Sequence, residues 1–140
     1  MITIQKKISD FTLHTPEGEG VDFSSLSGKY VVIHFWASWC KPCLETFPVF
    51  MDLFIKYEKE NFAIYSISVD LNKNAWLRTI DEFKPPWLQA IDTIDINESI
   101  FKITGIPATF LICPEGTIIM ENFSIEPGGK FDSKIASVFT

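Results

Sequence analysis

Two long apolar runs predict the centre of a β-sheet. Residues 30–36 and 62–69 are rich in β-branched and aromatic side chains. They lack the alternation that marks a strand with one face in water. We therefore expect both runs to be buried strands.

Shorter apolar runs near the two ends of the chain predict two hairpins. Residues 108–113 and 117–121 are separated only by Pro114-Glu115-Gly116, a short turn that favours antiparallel pairing. Residues 11–13 and 21–23 flank a segment that contains proline and glycine. This second arrangement predicts an extra β-hairpin at the N-terminal end.

Helical spacing follows the first buried run. Apolar residues recur three or four positions apart over residues 41–60, which predicts an amphipathic helix that Pro48 should kink. Further helices are expected at 72–83, 97–103 and 130–139, and a short extended piece at 87–91. This order predicts an α/β fold, in which a mixed central sheet carries helices on both faces.

Composition limits the classes of protein to consider. The chain has 140 residues, 46% of them hydrophobic and 21% charged, so we expect one folded domain over residues 1–140. A net charge of −6 argues against nucleic-acid binding, which usually needs a basic patch. No apolar stretch has the length of a membrane span, so no integral membrane segment is expected. We also expect a monomer.

The compartment is less constrained. Residues 1–7 contain no apolar run that could act as an export signal. We expect the periplasm or cell envelope, on the premise that a signal was removed, with the cytoplasm as the alternative.

The spacing of the cysteines indicates the chemistry. Cys40 and Cys43 form a C-x-x-C motif at the start of a predicted helix. The first N–H groups and the positive dipole end of a helix stabilise a thiolate, the form in which cysteine attacks. A second cysteine one turn later can displace the mixed disulfide. The motif therefore predicts a redox dithiol, with Cys40 as nucleophile and Cys43 as resolving thiol.

A structural zinc site is the main alternative use of this motif. Such a site needs four ligands, and the chain has no second cysteine pair and no histidine after Cys43. We therefore expect no metal. Between the cysteines, Pro42 should stiffen the turn, and Lys41 either favours the Cys40 thiolate or is simply solvated. The third cysteine, Cys113, is expected to be a buried, unreactive thiol.

Four motifs, in order along the chain, resemble those of the thioredoxin superfamily. Residues 35–43, FWASWCKPC, are similar to the family's F-W-A-x-W-C-x-P-C, and Pro48 matches its helix-kinking proline. Residues 105–110, GIPATF, are similar to its cis-proline motif, and residues 114–116 resemble the turn of its last hairpin. The N-terminal hairpin narrows the resemblance to the TlpA-like and ResA-like thiol–disulfide oxidoreductases, an AhpC/TSA-related branch.

The resemblance implies a thioredoxin fold with an extra N-terminal hairpin, and it implies roles around the dithiol. In this family the bond that corresponds to Ile106–Pro107 is cis and faces the dithiol, and the backbone at Ile106 pairs with an extended substrate. Trp39, Lys41 and Pro42 are expected on the same substrate-binding surface.

Two positions depart from the family pattern. His34 stands where thioredoxins carry a buried aspartate, so it either handles protons or is a neutral core histidine. Thr46 stands where TlpA-like proteins usually carry a glutamate. The nearest glutamate, Glu45, is rotated by about 100 degrees on a helix. This departure argues against a glutamate-assisted role in cytochrome maturation.

Together these features predict a thiol–disulfide oxidoreductase, with reduction of protein disulfides favoured over their formation. Its partners would be disulfide-containing proteins and a thiol electron donor, and no built-in cofactor is expected. Two alternatives are a thiol peroxidase of the peroxiredoxin type and a non-enzymatic copper chaperone of the Sco type. The residues before Cys40 lack the peroxidase pattern P-x-x-x-[TS]-x-x-C. The C-x-x-x-C spacing and distal histidine of the chaperones are also missing.

Overall fold

The computed structural model describes residues 6–123 and 129–139. The strands in this part of the chain are β1 (Lys6–Lys7), β2 (Thr12–His14), β3 (Gly20–Asp22), β4 (Tyr30–Trp36), β5 (Phe62–Ser68), β6 (Leu88–Ile91), β7 (Ala108–Ile112) and β8 (Thr117–Glu121). The α-helices are α1 (Lys41–Glu45), α2 (Phe47–Tyr57), α3 (Lys73–Phe83), α4 (Ile96–Ser99) and α5 (Lys130–Phe139), and a 3-10 turn covers Phe23–Leu26.

The described strands form one mixed sheet in the order β1-β8-β7-β4-β5-β6-β2-β3. At its centre, β4 pairs in parallel with β5 and antiparallel with β7. The predicted N-terminal hairpin is confirmed, because β2 and β3 pair antiparallel and β2 then joins the sheet beside β6. The mixed α/β sheet predicted from the apolar runs is confirmed as well.

Both faces of the sheet are covered, so β4 is buried along nearly its whole length. Side chains of α2, α3 and α5 pack on one face, around Val32 and Trp36. The other face carries Val31, Ile33 and Phe35 and is covered by the N-terminal segment and α4. A strand buried on both faces favours apolar residues at consecutive positions, which explains the apolar run of the sequence, in which His34 is the one polar residue.

The predicted helix over residues 41–60 is wrong as a single helix. The structure has two helices that meet at Thr46, and the second ends at Tyr57. Pro48 has no N–H to donate to the carbonyl of Leu44, and its ring disfavours a continuous helix there. The second helix restarts with the Phe50 N–H donating to the Thr46 carbonyl at 2.9 Å.

Two smaller elements differ from the prediction, and a third agrees with it. Strand β1 was not predicted, because two exposed lysines give no apolar signal. The helix expected at 97–103 covers only Ile96–Ser99, and Lys102 has a φ of 52° that no α-helix accommodates. The extended piece at 87–91 is strand β6, parallel to β5. In the described residues, no helix is long and apolar enough to cross a membrane.

Candidate active site

The C-x-x-C motif follows the C-terminal end of β4, at the start of α1. Cys40 has an extended backbone (φ −95°, ψ 99°) and caps the helix, and its Sγ accepts the Cys43 N–H at 3.3 Å. Pro42 lies in the first turn of α1, where its missing N–H has no intrahelical partner to lose. The Cys40 N–H donates to the Ala37 carbonyl at 3.1 Å, which closes the turn between β4 and α1.

Cys40 and Cys43 form a disulfide in this structure. Their Cα atoms are 5.3 Å apart, within the usual range for such a bond. Cys43 is completely buried, whereas Cys40 keeps 6% of its surface exposed. Both cysteines of the disulfide are therefore buried. Cys40 is nevertheless the less buried cysteine of the two.

The residues flanking the cysteines differ sharply in exposure. Trp39 is 72% exposed, and Lys41 and Pro42 are also exposed. Trp36, three residues before Trp39, has no exposed surface and packs in the core. An indole that stands in solvent beside a buried sulfur pair offers a large, rigid apolar surface to another molecule.

The Ile106–Pro107 segment reaches the same end of the sheet. The peptide bond between these residues is cis. Ala108, the next residue, begins β7 and pairs with Phe35 near the end of β4. Ile106 packs on the same apolar cluster as both cysteines, and Pro107 is exposed. The structure thus brings the two motifs together although more than sixty residues separate them.

Beneath the dithiol, His34 and Thr46 contact each other. The Thr46 hydroxyl donates to the Cys43 carbonyl at 2.5 Å and lies 3.3 Å from His34 Nε2. A hydroxyl has one hydrogen, so the Thr46 oxygen must accept from Nε2–H. This assigns the proton of His34 to Nε2 and leaves Nδ1 as a lone pair. Glu45, by contrast, is exposed.

Burial decides the charge of His34. The ring is fully buried and lies tilted against Phe50, with 4.5 Å between ring centroids. Its Nδ1 atom has no hydrogen-bond partner among the described residues. Desolvation lowers the pKa of His34 to about 3. The imidazole is therefore neutral near pH 7.

A further buried carboxylate, Asp70, joins the site and was not predicted from the sequence. It follows β5, and its Oδ1 accepts from the Ser38 hydroxyl at 2.7 Å. Both carboxylate oxygens lie within 3.2 Å of the Ser38 amide nitrogen. Oδ2 accepts from the Ser68 hydroxyl at 2.6 Å. The available signal was its place after a buried parallel strand, where site residues tend to gather.

Cys113 is remote from this arrangement. It is a free thiol and half-buried, which is less buried than predicted, because it follows the end of β7 in a turn. Ala108 is the end of that strand nearest the dithiol. At about 3.3 Å per residue, Cys113 lies roughly 16 Å further along β7.

Comparison with known sequences identifies similar proteins. The profile of the AhpC/TSA family matches residues 4–120. The chain is 27% identical over 110 residues to the thiol-disulfide oxidoreductase ResA of Bacillus subtilis, covering 79% of this chain and 62% of the relative. It is 33% identical over 98 residues to ResA of Oceanobacillus iheyensis, covering 70% and 51%. The chain thus spans about half to two thirds of these curated relatives.

A solved structure supports the fold. The thioredoxin domain of a thiol-disulfide oxidoreductase from Bacteroides vulgatus superimposes with a TM-score of 0.84. The two chains are 24% identical, and the superposition covers 99% of each. The predicted thioredoxin fold is confirmed.

Proposed function

The chain belongs to the AhpC/TSA family, and we propose that it is a thiol–disulfide oxidoreductase that acts on protein disulfides through Cys40 and Cys43. The observation that carries this proposal is the Cys40–Cys43 disulfide at the start of α1, in which Cys43 is fully buried and Cys40 keeps 6% of its surface exposed. Another thiol can open such a disulfide by attacking Cys40, the less buried of the two cysteines, and the bond can then form again.

The reaction we propose starts from the reduced protein. The Cys40 thiolate attacks a substrate disulfide, forms a mixed disulfide and releases one substrate thiol. Cys43 then attacks Cys40, which releases the second substrate thiol and forms the internal disulfide. The substrate gains two electrons and two protons, and a dithiol donor returns them to the protein. The bonded pair described above is the product of this sequence.

The substrate would bind beside Cys40, the less buried cysteine. Trp39 supplies an exposed apolar surface, and Lys41 and Pro42 border the same turn. Ile106 lies two residues before Ala108, the first residue of β7 to pair with β4, and the family resemblance implies that its backbone pairs with an extended substrate chain. These residues together would hold a polypeptide segment next to Cys40. Whether the protein reduces or forms disulfides depends on its reduction potential relative to that of its compartment. We favour the reduction of protein disulfides.

We also propose that His34 is a neutral core residue and does not accept a proton from Cys43 at rest. Its low pKa makes it a weak base, and its Nε2–H is already donated to Thr46. A pH–rate profile of His34→Asn tests this assignment. An unchanged profile supports it, and the loss of one titration from the profile would assign proton handling to His34.

Cysteine variants test the catalytic proposal directly. We expect Cys43→Ser to accumulate a mixed disulfide with insulin, because the resolving thiol is missing. We expect Cys40→Ser to lose insulin-disulfide reduction. Cys113→Ser is the matched control, since it removes a thiol far from the site and should keep wild-type activity. Most of the activity surviving in Cys40→Ser would overturn the assignment of the nucleophile.

The two alternative functions give different results with the wild-type protein. Rapid peroxide consumption without a disulfide substrate would indicate a thiol peroxidase. Copper retained after desalting would indicate a copper chaperone. A measured equilibrium with glutathione would decide between reduction and oxidation as the favoured direction.

A further inference from the structure

The buried carboxylate of Asp70 needs interactions that compensate for the loss of its water. Its residue surface is 5% exposed, and no lysine or arginine in the described ranges 6–123 and 129–139 forms an ion pair with it. A buried carboxylate without a cation is unfavourable unless hydrogen bonds replace its water. Here the replacement comes from the Ser38 N–H, the Ser38 hydroxyl and the Ser68 hydroxyl. The Asp70 N–H in turn donates to the Ser68 hydroxyl at 2.9 Å.

These contacts connect the C-terminal ends of β4 and β5, which parallel pairing brings side by side. Trp36 is the last residue of β4 and pairs with Ser68, the last residue of β5. Beyond this pair the ladder stops, apart from the Val69 N–H that donates to the Trp36 carbonyl at 2.8 Å. Past this last backbone bond, the Asp70 carboxylate links the two chain segments again, because it accepts hydrogen bonds from Ser38. It therefore reaches the turn that carries Cys40, two residues later.

We propose that Asp70 is a positioning residue for the dithiol, holding the turn Ser38–Trp39 so that Cys40 stays beside Cys43. This inference rests on the proposed thiol–disulfide function. The Cys40 N–H already closes the turn onto Ala37, but that bond lies within the turn. The bonds from Ser38 to Asp70 fix the turn relative to the sheet. A dithiol held in this way forms its disulfide more readily, because less conformational freedom is lost when the bond closes.

The test measures how easily the dithiol closes. Reduced protein is equilibrated with glutathione and glutathione disulfide, so that the two thiols lose two electrons and two protons while one glutathione disulfide becomes two glutathione molecules. Ser38→Ala removes the 2.7 Å bond to Asp70. We expect the equilibrium to shift towards the dithiol by about fivefold, which corresponds to about 1 kcal/mol, the net value of one hydrogen bond. Ser38→Thr keeps a hydroxyl and should restore the wild-type equilibrium.

Matched variants separate positioning from general loss of stability. Ser25→Ala removes a serine hydroxyl bond of the same 2.7 Å length, to a backbone carbonyl remote from the dithiol. Asp92→Asn alters another buried carboxylate, which accepts the Ile94 N–H before α4 and the Ile96 and Asn97 N–H groups within it. Both should keep the wild-type glutathione equilibrium, and Asp70→Asn should shift it in the same direction as Ser38→Ala.

The results for the Ser38 and Asp70 variants decide whether Asp70 positions the dithiol. A wild-type equilibrium in both Ser38→Ala and Asp70→Asn, with only a lower melting temperature, would overturn it. If Asp70→Asn does not fold, the contrast between Ser38→Ala and Ser38→Thr decides. The glutathione equilibrium needs no protein substrate. A wild-type protein that fails to reduce insulin would therefore overturn the proposed function without affecting this measurement.

Discussion

Acidification from pH 7 to pH 5 should destabilise this protein through one residue, His34. Desolvation lowers its pKa to about 3 in the folded protein, whereas an unfolded histidine has a pKa of about 6.5. Below pH 6.5 the unfolded chain therefore binds a proton that the folded protein does not. The contribution of neutral His34 to stability is complete above pH 6.5 and is lost as the pH falls towards 3.

The size of the effect follows from these two values. At pH 5 the unfolded histidine is about 1.5 units below its pKa, and each unit corresponds to about 1.36 kcal/mol, so the free energy of unfolding should fall by about 2 kcal/mol. The surroundings explain why the folded state resists protonation. Phe47 and Phe50 pack on the ring, and no carboxylate in the described part of the chain offsets the desolvation.

The assay is urea unfolding of the oxidised protein, followed by tryptophan fluorescence at pH 7 and at pH 5. Wild type should lose about 2 kcal/mol more than His34→Leu between the two pH values, because leucine fills a similar volume and cannot titrate. The variant's own stability at pH 7 does not enter this difference. His14→Gln is the control, since His14 is exposed in β2, and it should keep the wild-type pH dependence.

Parallel behaviour of wild type and His34→Leu across the two pH values would refute this reasoning. If His34→Leu does not fold, the imidazole of wild-type His34 can be titrated by NMR. An imidazole that gains its proton above pH 5 in the folded protein would equally refute it.

Three further predictions concern the start of α3, the exposed indole of Trp39 and the Thr46 hydroxyl that contacts His34. Asn72→Ala should lower the free energy of unfolding by about 1 kcal/mol, measured by urea unfolding, because Asn72 caps α3 through its side-chain oxygen; no change would contradict this role. Trp39→Ala should lower kcat/KM for insulin reduction by about tenfold, and Ile55→Ala, a similarly exposed apolar residue on α2, should not; equal losses would exclude a specific surface. Thr46→Val should cost about 1–3 kcal/mol in unfolding free energy, because a buried histidine donor loses its acceptor. Thr79→Val, which removes a hydroxyl bond to a helix carbonyl, should cost less, and the reverse order would contradict the assignment.

The central strand β4 could be predicted more accurately than the helix that follows the dithiol. The first apolar run matches β4 at both ends, because burial on two faces favours apolar residues along the strand, with His34 as its buried polar exception. The helix after the dithiol was predicted too long and too continuous. Its apolar spacing runs through the break, since residues on either side of Thr46 pack on the same cluster. Periodicity records which face is buried and not whether the backbone hydrogen bonds continue.

The cysteines of the site could be predicted because their spacing is local, but their polar support could not. Ser38 and Asp70 are 32 positions apart, and they meet only because β4 and β5 pair in parallel and end together. No local pattern predicts that contact. The same limit applies to His34 and Thr46, which sequence comparison treats as two separate departures from the family.

In the structure those two departures form one arrangement. A neutral histidine in an apolar core needs an acceptor for its single N–H that does not charge it. The Thr46 hydroxyl meets this need, and its own hydrogen is satisfied by the Cys43 carbonyl. A glutamate at position 46 would instead place a negative charge near the imidazole, which would raise the pKa of His34 and favour the protonated ring. Considered alone, His34 suggests a proton acceptor. Considered with Thr46, it is a neutral ring that donates to a hydroxyl, so neither of these two side chains carries a charge.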